Sequence, residues 1–485
     1  MLQRSIQFGR GVLLFSILYS LTGASTSNSF LLSARYLVTL RSSVVDPHAA
    51  AQLLASRYQL KLRHTYAHAL KGFSATGYAS SIAQLRGDPL VTAVELSRSG
   101  ELMGLDVARK GSTPLQSGQV IPFGVQRIGA DRSQIAQIDG VDTALDVDIA
   151  VIDSGIQPNH PDLNLAGSVV CNGGQLFEQQ PAVDLTGHGT AVAGVIAARD
   201  NQIGVVGVVP GARLWSIRVA QRTPDNRVRY DTDDLICAVD WVAAHADVIE
   251  VVNISLGAYA PLGFDHGPCG QAATTAEAAL HHAICHAVAA GVTFVVAAGE
   301  PRPSMPRTDS AAVSPAAFAE VITVSGMADF DGRSGGRSRE PICQSADRDD
   351  TFWNESNYGS AVDLVAPALC ISTTSDSLWS GTSFAAPYVA GAAALYKIAR
   401  PAASPAEVKR ALEASAQPGW NVSRSAGRPY GDDPDNSPEP LINVQALTSA
   451  AIALRSAQRS PATTTTATSS QVRPVHQQLA NRLWE

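Results

Sequence analysis

Apolar segments typical of β-strands alternate with long alanine-rich segments through the middle of this chain. The strand-like segments are residues 149–152, 214–219, 248–254, 292–297, 321–324 and 362–365. The helix-like segments are residues 190–198, 231–246, 274–290 and 382–398. Nearly continuous apolar strands with helices between them indicate a parallel sheet that is covered on both faces. We therefore predict an α/β fold with a doubly wound, mostly parallel sheet flanked by helices.

The length, composition and net charge of the chain indicate which classes of protein it can belong to. The chain has 485 residues, of which 45% are hydrophobic and 16% are charged. This length exceeds one average domain, and the composition is typical of a globular protein rather than a disordered one. The formal net charge of −7 provides no basic surface for nucleic acid. A nucleotide-dependent enzyme is disfavoured too, because no Gly-x-Gly-x-x-Gly loop follows the first strand of the sheet.

A shorter pattern precedes the predicted sheet. It alternates between strand-like and helix-like segments. The strand-like segments are residues 36–40, 73–78 and 91–95, and the helix-like segments are residues 47–58 and a second one that begins with residues 82–86. This β-α-β-α-β order predicts a small separate α+β domain. The Gly-, Ser- and Thr-bearing residues that follow, from Ser99 to Gly118, are interpreted as a linker.

The N-terminus predicts export from the cell. Arg4 and Arg10 precede an apolar run over residues 12–21, and small residues follow at 22–25. This pattern is typical of a cleavable secretory signal, which we assign to residues 1–24. A membrane anchor is the alternative, but the run is shorter than the roughly 20 apolar residues of a spanning helix. We expect a secreted, extracellular protein that has no membrane segment after signal removal and is a monomer.

The six cysteines fit an oxidising compartment. In an exported chain all six can pair, and the sequence alone allows about 15 connectivities. None belongs to a Cys-x-x-Cys pair or lies at metal-ligand spacing from histidines, so a zinc site is not expected.

Three short motifs carry the chemistry of the chain. They are Val151-Ile152-Asp153-Ser154-Gly155, Gly187-His188-Gly189-Thr190 and Gly381-Thr382-Ser383-Phe384-Ala385-Ala386-Pro387. A serine hydroxyl becomes a useful nucleophile when a base removes its proton, a histidine is the usual base, and an aspartate orients that histidine. Singly, each residue has a structural interpretation as a strand-end Asp, a surface His or a helix-capping Ser.

In this order the three motifs resemble those of subtilisin-like serine proteases. The resemblance runs over about residues 122–447 and implies a subtilisin-like fold for a peptidase domain at 119–447. It implies a serine endopeptidase with Asp153, His188 and Ser383 as catalytic residues. Polypeptides would be the substrates, and no cofactor would be required. Residues 448–485, with a Thr- and Ser-rich run at 461–470, are expected to form a low-complexity tail.

The N-terminal domain resembles the inhibitory propeptide of the same family. Its position and the segments at 70–75 and 88–91 carry this resemblance, with an unrelated N-terminal module as the alternative. A propeptide with its processing linker over residues 25–118 would act as an intramolecular inhibitor of a self-inhibited precursor. The sequence leaves the cleavage point open.

The resemblance also implies the walls of a substrate cleft. Ser255, Leu256 and Gly257 match a segment that pairs with substrate as an added strand. Ala298 and Gly299 match the opposite wall of the specificity pocket. The structural alternative is that both segments are ordinary ends of core strands.

Glu300 departs from the family pattern, which has an oxyanion-binding Asn at this place. A carboxylate has no donor and would repel a nearby negative intermediate by about 4 kcal/mol at 4 Å and an effective dielectric constant of 20. The chain could then be an impaired enzyme that acts as a binding or regulatory module. Alternatively, a protonated Glu300 could donate a hydrogen bond, or Arg302 could pair with it or reach into the site. We favour an active protease in which protonated Glu300 supports turnover at mildly acidic pH.

Two further expectations come from the resemblance. It implies the disulfides Cys171–Cys237, Cys269–Cys285 and Cys343–Cys370. It also suggests a structural calcium site in which Asp363 is joined by backbone carbonyls near Ala319 and Val321, although calcium normally takes more oxygen ligands than these. A solvated strand-end Asp363 is the alternative.

Overall fold

The computed structural model describes residues 33–459, except for 103–104, 108–117, 179, 260–267, 270–277, 302–306, 339–342, 344–346, 376, 421–432 and 436–438. The predicted signal at 1–24 and the Thr- and Ser-rich run lie outside these ranges. Within them, no helix combines the length and apolar character that a bilayer span requires.

The described residues form strands and helices in mixed order. The strands are β1 Ser33–Leu40, β2 Lys61–Tyr66, β3 Gly72–Tyr78, β4 Val91–Leu96, β5 Ser99–Leu102, β6 Leu105–Val107, β7 Asp148–Asp153, β8 Leu165–Asn172, β9 Gln175–Phe177, β10 Arg213–Arg218, β11 Gln221–Arg222, β12 Val228–Asp231, β13 Val251–Ile254, β14 Leu256–Tyr259, β15 Thr293–Ala297, β16 Val313–Ser314, β17 Ile322–Ala328, β18 Thr351–Phe352, β19 Leu364–Pro367, β20 Ile371–Ser372 and β21 Leu378–Ser380. The α-helices are α1 Pro47–Arg57, α2 Ala79–Leu85, α3 Phe123–Arg127, α4 His188–Ala197, α5 Thr232–Ala244, α6 Ala278–Ala289, α7 Thr382–Ala399, α8 Pro405–Ser415 and α9 Val444–Arg459.

The N-terminal unit is an antiparallel sheet with strand order β2-β3-β1-β4. Helices α1 and α2 contact this sheet, and the unit has a hydrophobic cluster of its own that includes Leu54, Phe73 and Leu85. Helix α1 begins where Asp46 accepts a hydrogen bond from the backbone N–H of Ala49 and proline occupies the first turn. These features stabilise a helix start. The predicted α+β unit is present, with β2 as an additional edge strand.

The main sheet has strand order β18-β17-β15-β13-β7-β10-β8-β9, and β19 pairs with β17. Its central pairs are parallel, whereas the edge strands β9 and β18 run antiparallel to their neighbours. All six residues of β7 are buried, as expected for a strand that is covered on both faces. The predicted fold class is confirmed.

Two small sheets connect the N-terminal unit to the main sheet. Strand β5 lies between β12 and β14, and β6 pairs with β21. The predicted linker therefore begins with two strands. At the other end of the chain, α9 continues through the predicted start of the tail at 448.

Three disulfides join Cys171 to Cys237, Cys269 to Cys285 and Cys343 to Cys370. These are the pairs that the resemblance implied. The first connects β8 to α5 across the face of the main sheet, with the two Cα atoms 6.0 Å apart.

Candidate active site

The main sheet and α4 bring Asp153 and His188 together. Asp153 is the last residue of β7, and His188 is the first residue of α4. Gly187 precedes the helix with φ 86°, a backbone conformation that glycine adopts without strain. The Nδ1 atom of His188 lies 2.8 Å from Oδ1 of Asp153, and both side chains are buried. This contact can hold the imidazole in one orientation and stabilise its protonated form.

Ser383 is the second residue of α7, and the residue after it contacts the same histidine. Gly381, at φ 146°, makes the sharp turn into this helix. The ring of His188 packs against that of Phe384, with 5.4 Å between the ring centroids. The Oγ–H of Ser383 donates to the carbonyl oxygen of Ser255 at 3.1 Å. Ser383 lies in the first turn of α7, and the N–H groups of a first turn can stabilise a developing negative charge.

The outer nitrogen of His188 is available for proton transfer. Among the described residues, its buried Nε2 atom has no hydrogen-bond partner. Burial alone lowers the pKa of this imidazole, but the negative charges of Asp153, Asp184 and Glu300 outweigh burial, so the pKa lies above its ordinary value. A base with a raised pKa remains protonated to a higher pH, so this histidine becomes competent as a base later in a rising pH series.

Glu300 lies at the start of the nucleophile-bearing helix. Its carboxyl group is only 6% exposed. The Oε2 atom accepts hydrogen bonds from the backbone N–H of Thr382 at 3.1 Å and from its hydroxyl at 2.7 Å. The Thr382 hydroxyl in turn accepts from the N–H of Gly299 at 3.0 Å. Thr382 thus binds this carboxyl group one residue before Ser383. Arg302, the other residue expected near Glu300, lies outside the described residues.

Each expected cleft wall contacts the start of α7, since the hydroxyl of Ser255 donates to the carbonyl oxygen of Ser383 and the N–H of Gly299 donates to Thr382. Strand β14 carries Leu256 and Gly257, which pair with Leu102 and Glu101 of β5 in antiparallel register. The wall formed by β14 therefore pairs with an extended segment of the same chain, strand β5. The other wall is anchored where Asn357 Nδ2 donates to the carbonyl oxygen of Ala298 at 3.0 Å.

Comparison with known proteins identifies the family and the fold. Residues 145–440 match the profile of a family described as the subtilase family. This chain belongs to the subtilase family. The match covers most of the predicted peptidase domain and includes all three motif residues.

This subtilase resembles several subtilisins over most of their length. It is 32% identical to subtilisin of Bacillus pumilus over 305 residues, which cover 61% of this chain and 92% of that protein. It is 28% identical to subtilisin NAT of Bacillus subtilis subsp. natto over 412 residues, which cover 83% and 91% of the two chains. Family membership and these relatives identify it as a subtilisin-like serine protease.

A solved structure supports the same fold. Fervidolysin from Fervidobacterium pennivorans, described as a keratinolytic enzyme related to subtilisin, superimposes with a TM-score of 0.60 at 19% identity. The alignment covers 86% of this subtilase and 61% of the fervidolysin chain.

The sequence analysis missed Asp184, which shapes the loop before His188 in this subtilase. Its Oδ1 atom accepts from the N–H groups of Thr186 and Gly187 and from the hydroxyl of Ser154, while Oδ2 accepts from Thr190. An Asp just before a Gly-rich turn is a turn-forming signal, and this signal could have identified it.

The three residues expected to bind calcium instead contact the side-chain ammonium group of a lysine. The ammonium of Lys409 lies 2.8 Å from Oδ1 of Asp363. It also donates to the carbonyl oxygens of Ala319 at 3.2 Å and Val321 at 2.9 Å. The other oxygen of Asp363 accepts from the N–H of Thr323. Asp363 is therefore corrected from a calcium ligand to the partner of an internal lysine, which a short motif around Asp363 could not reveal.

Proposed function

We propose that this subtilase is a secreted serine endopeptidase in which Asp153, His188 and Ser383 form the catalytic triad. The observation that carries the proposal is the 2.8 Å contact between His188 and Asp153, next to the helix start that presents Ser383. Secretion is supported by the signal-like pattern at residues 1–24.

The geometry accounts for each step of peptide hydrolysis. The Ser383 Oγ atom attacks the carbonyl carbon of the scissile bond, and its proton passes to Nε2 of His188. Asp153 stabilises the resulting imidazolium, and the Ser383 N–H at the start of α7 stabilises the tetrahedral oxyanion. His188 then protonates the departing amine, and water hydrolyses the acyl-enzyme by the reverse sequence.

We also propose that the N-terminal unit is an inhibitory propeptide of a self-inhibited precursor. Strand β5 pairs with both β12 and β14, the latter being one of the proposed substrate-binding walls. Strand β6 pairs with β21, which ends three residues before Ser383. Pairing of an extended segment with a proposed cleft wall supports a substrate-like role for that segment. We infer that the processed bond lies between Leu102 and Leu105, earlier than the predicted domain start at 119.

An impaired protein that acts as a binding or regulatory module is the second candidate. The position of Glu300 favours it, because the carboxyl group accepts hydrogen bonds at the start of α7. A negative charge there opposes the charge that develops on the substrate oxygen.

Labelling with an active-site fluorophosphonate separates the two candidates. The protease is expected to label at Ser383 and to process its own chain, with a new N-terminus between residues 103 and 105 by mass spectrometry. The Ser383→Ala variant should lose both properties. A Ser415→Ala variant on α8 should retain both, since that hydroxyl bonds to the carbonyls of its own helix. A folded wild-type protein that neither labels nor processes would contradict the protease and support the binding module.

A further inference from the structure

Three carboxylates converge where β17 ends. Asp329, Asp331 and Asp349 each offer an oxygen that lies within 4.8 Å of the other two. Asp329 and Asp349 are both buried, and Asp331 is half-buried. None of the three belongs to the proposed active site. Three acidic oxygens this close repel one another unless a positive charge or a proton lies among them.

One oxygen of this group has no partner. Both oxygens of Asp349 accept backbone hydrogen bonds, from Phe330 at 2.8 Å and from Ser338 at 3.0 Å. The Oδ1 atom of Asp329 accepts from the N–H of Gly332 at 3.1 Å. Its Oδ2 atom is buried and has no hydrogen bond within the part of the chain that the structure describes. Leaving such an oxygen uncompensated is costly, so its burial among two other carboxylates points to a bound cation.

The neighbouring basic groups supply only part of that positive charge, because Arg127, whose charge favours the ionised form of Asp329, is bonded to another carboxylate. The buried guanidinium of Arg127, on α3, lies 2.9 Å from Oδ1 of Asp350. The other oxygen of Asp350 accepts from the N–H groups of Gly335 and Gly336. Arg333 and Arg337, in the same loop, are exposed. Arg127 is therefore engaged with a fourth carboxylate beside the group.

We propose that Asp329, Asp331 and Asp349 bind a divalent cation of the calcium type. Calcium is a hard ion that takes carboxylate and carbonyl oxygens in flexible geometry. The group identified among the described residues consists of carboxylates, whereas imidazole and thiolate ligands favour zinc or copper. It is also separate from the Asp363 position, where Lys409 provides the positive charge.

The cation would connect the loop after β17 to the first helix of the peptidase domain. A Cβ atom on Gly332 would lie 3.0 Å from the carbonyl oxygen of Phe123 and 3.1 Å from Cβ of Gln126, so this loop packs directly on α3. Arg127 connects the same helix to Asp350. We therefore expect the ion to stabilise the folded domain rather than to enter the reaction, so the inference does not depend on the proposed function.

Calorimetric titration of CaCl2 into the chelator-treated full chain tests the site, with Ser383→Ala as background to prevent autolysis. The parent is expected to bind Ca2+ and to show a higher Tm in its presence, since a ligand of the native state stabilises it. Asp331→Asn, at the half-buried ligand, should weaken this binding at least tenfold, and Asp349→Asn should remove it. Asp225→Asn, at an exposed carboxylate paired with Arg227, should leave the titration unchanged.

Two results would overturn the proposal. One is a parent that takes up no Ca2+ at millimolar concentration, as expected if Asp329 is protonated and no ion is needed. The other is Ca2+ binding with a Tm shift that Asp331→Asn leaves unchanged, because the ion would then bind elsewhere, for example near Asp231 and Asp233. Asp331 is half-buried, so its variant keeps the test decisive even if Asp349→Asn fails to fold.

Discussion

Glu300 brings a negative charge to the start of the helix that carries Ser383. Its carboxyl group accepts two hydrogen bonds from Thr382, and its charge contributes to the raised pKa of His188. An ionised carboxylate at this position cannot replace the amide donor of the family pattern, whereas a protonated carboxyl group, as favoured from the sequence, can donate a hydrogen bond. The same residue therefore acts on both the oxyanion and the base.

Replacing Glu300 by Asn is expected to raise turnover near neutral pH. The change removes a charge that opposes the oxyanion and adds a donor, and loss of such a donor costs about 10²–10³ in kcat. We expect a gain of roughly tenfold or more, measured as kcat on a peptide substrate. An unchanged or lower kcat would contradict the interpretation, and Glu178→Gln, at an exposed carboxylate, is the control.

Replacing Glu300 by Gln removes the charge while keeping the length of the side chain, and the pKa of His188 reports the effect of that charge. Asp153 and Asp184 would still raise the pKa of His188 against burial, but the contribution of Glu300 would be lost. A lower pKa means that the neutral base forms at lower pH, so the acid limb of the kcat/KM profile should move to lower pH. A limb that stays in place or moves to higher pH would show that Glu300 carries no charge that His188 senses.

At the scale of elements, the side chain of Lys409 forms a polar connection between α8 and the main sheet. Lys409 extends from α8 to Asp363, just before β19, and to the carbonyl oxygens of Ala319 and Val321, just before β17. The ammonium group of Lys409 thus contacts three oxygen atoms, which belong to the two segments that lead into β17 and β19.

Replacing Lys409 by Met should lower the free energy of unfolding. Asp363 would keep its backbone bond to Thr323 but lose its counter-charge, and an unsatisfied buried group costs about 1–3 kcal/mol. Urea unfolding of the Ser383→Ala protein measures the change. Arg410→Met removes the same charge from the exposed neighbouring position on α8 and should change stability much less. Equal effects of the two variants would contradict a specific role for Lys409.

At the scale of the whole molecule, the N-terminal unit docks on the start of α5. Arg35 forms ion pairs with Asp231 and Asp233, at the first residues of this helix. Tyr66 is fully buried, and its hydroxyl donates to the carbonyl oxygen of Asp233 at 3.1 Å. Leu37, Tyr66 and Leu70 belong to the same hydrophobic cluster as the core of the main sheet. The surface through which the N-terminal unit contacts the rest of the molecule therefore combines apolar contacts of Leu37, Tyr66 and Leu70 with ion pairs at the start of α5.

Replacing Arg35 by Gln should weaken inhibition by the separated N-terminal unit. The two contacts share one guanidinium, and their combined loss costs about 1.5–3 kcal/mol, so the inhibition constant should rise roughly 10–100-fold. Inhibition of the mature enzyme by the added unit measures this change. Arg57→Gln is the matched control, because Arg57 pairs with Asp88 inside the same unit. A similar loss in both variants would indicate unfolding of the unit rather than a docking role for Arg35.

The sequence by itself determined the alternation of strands and helices, the small N-terminal unit and the three motifs. Each of these depends on periodicity or on neighbouring residues, which a local pattern contains. Tertiary structure decided the partner of Asp363, the contact between Glu300 and Thr382, and the pairing of β5 and β6 around Ser383. These contacts join residues from distant segments of the chain, which meet only when the sheet is assembled. A local sequence pattern does not reveal them, because a side chain or strand can pair with any segment that the fold brings close to it.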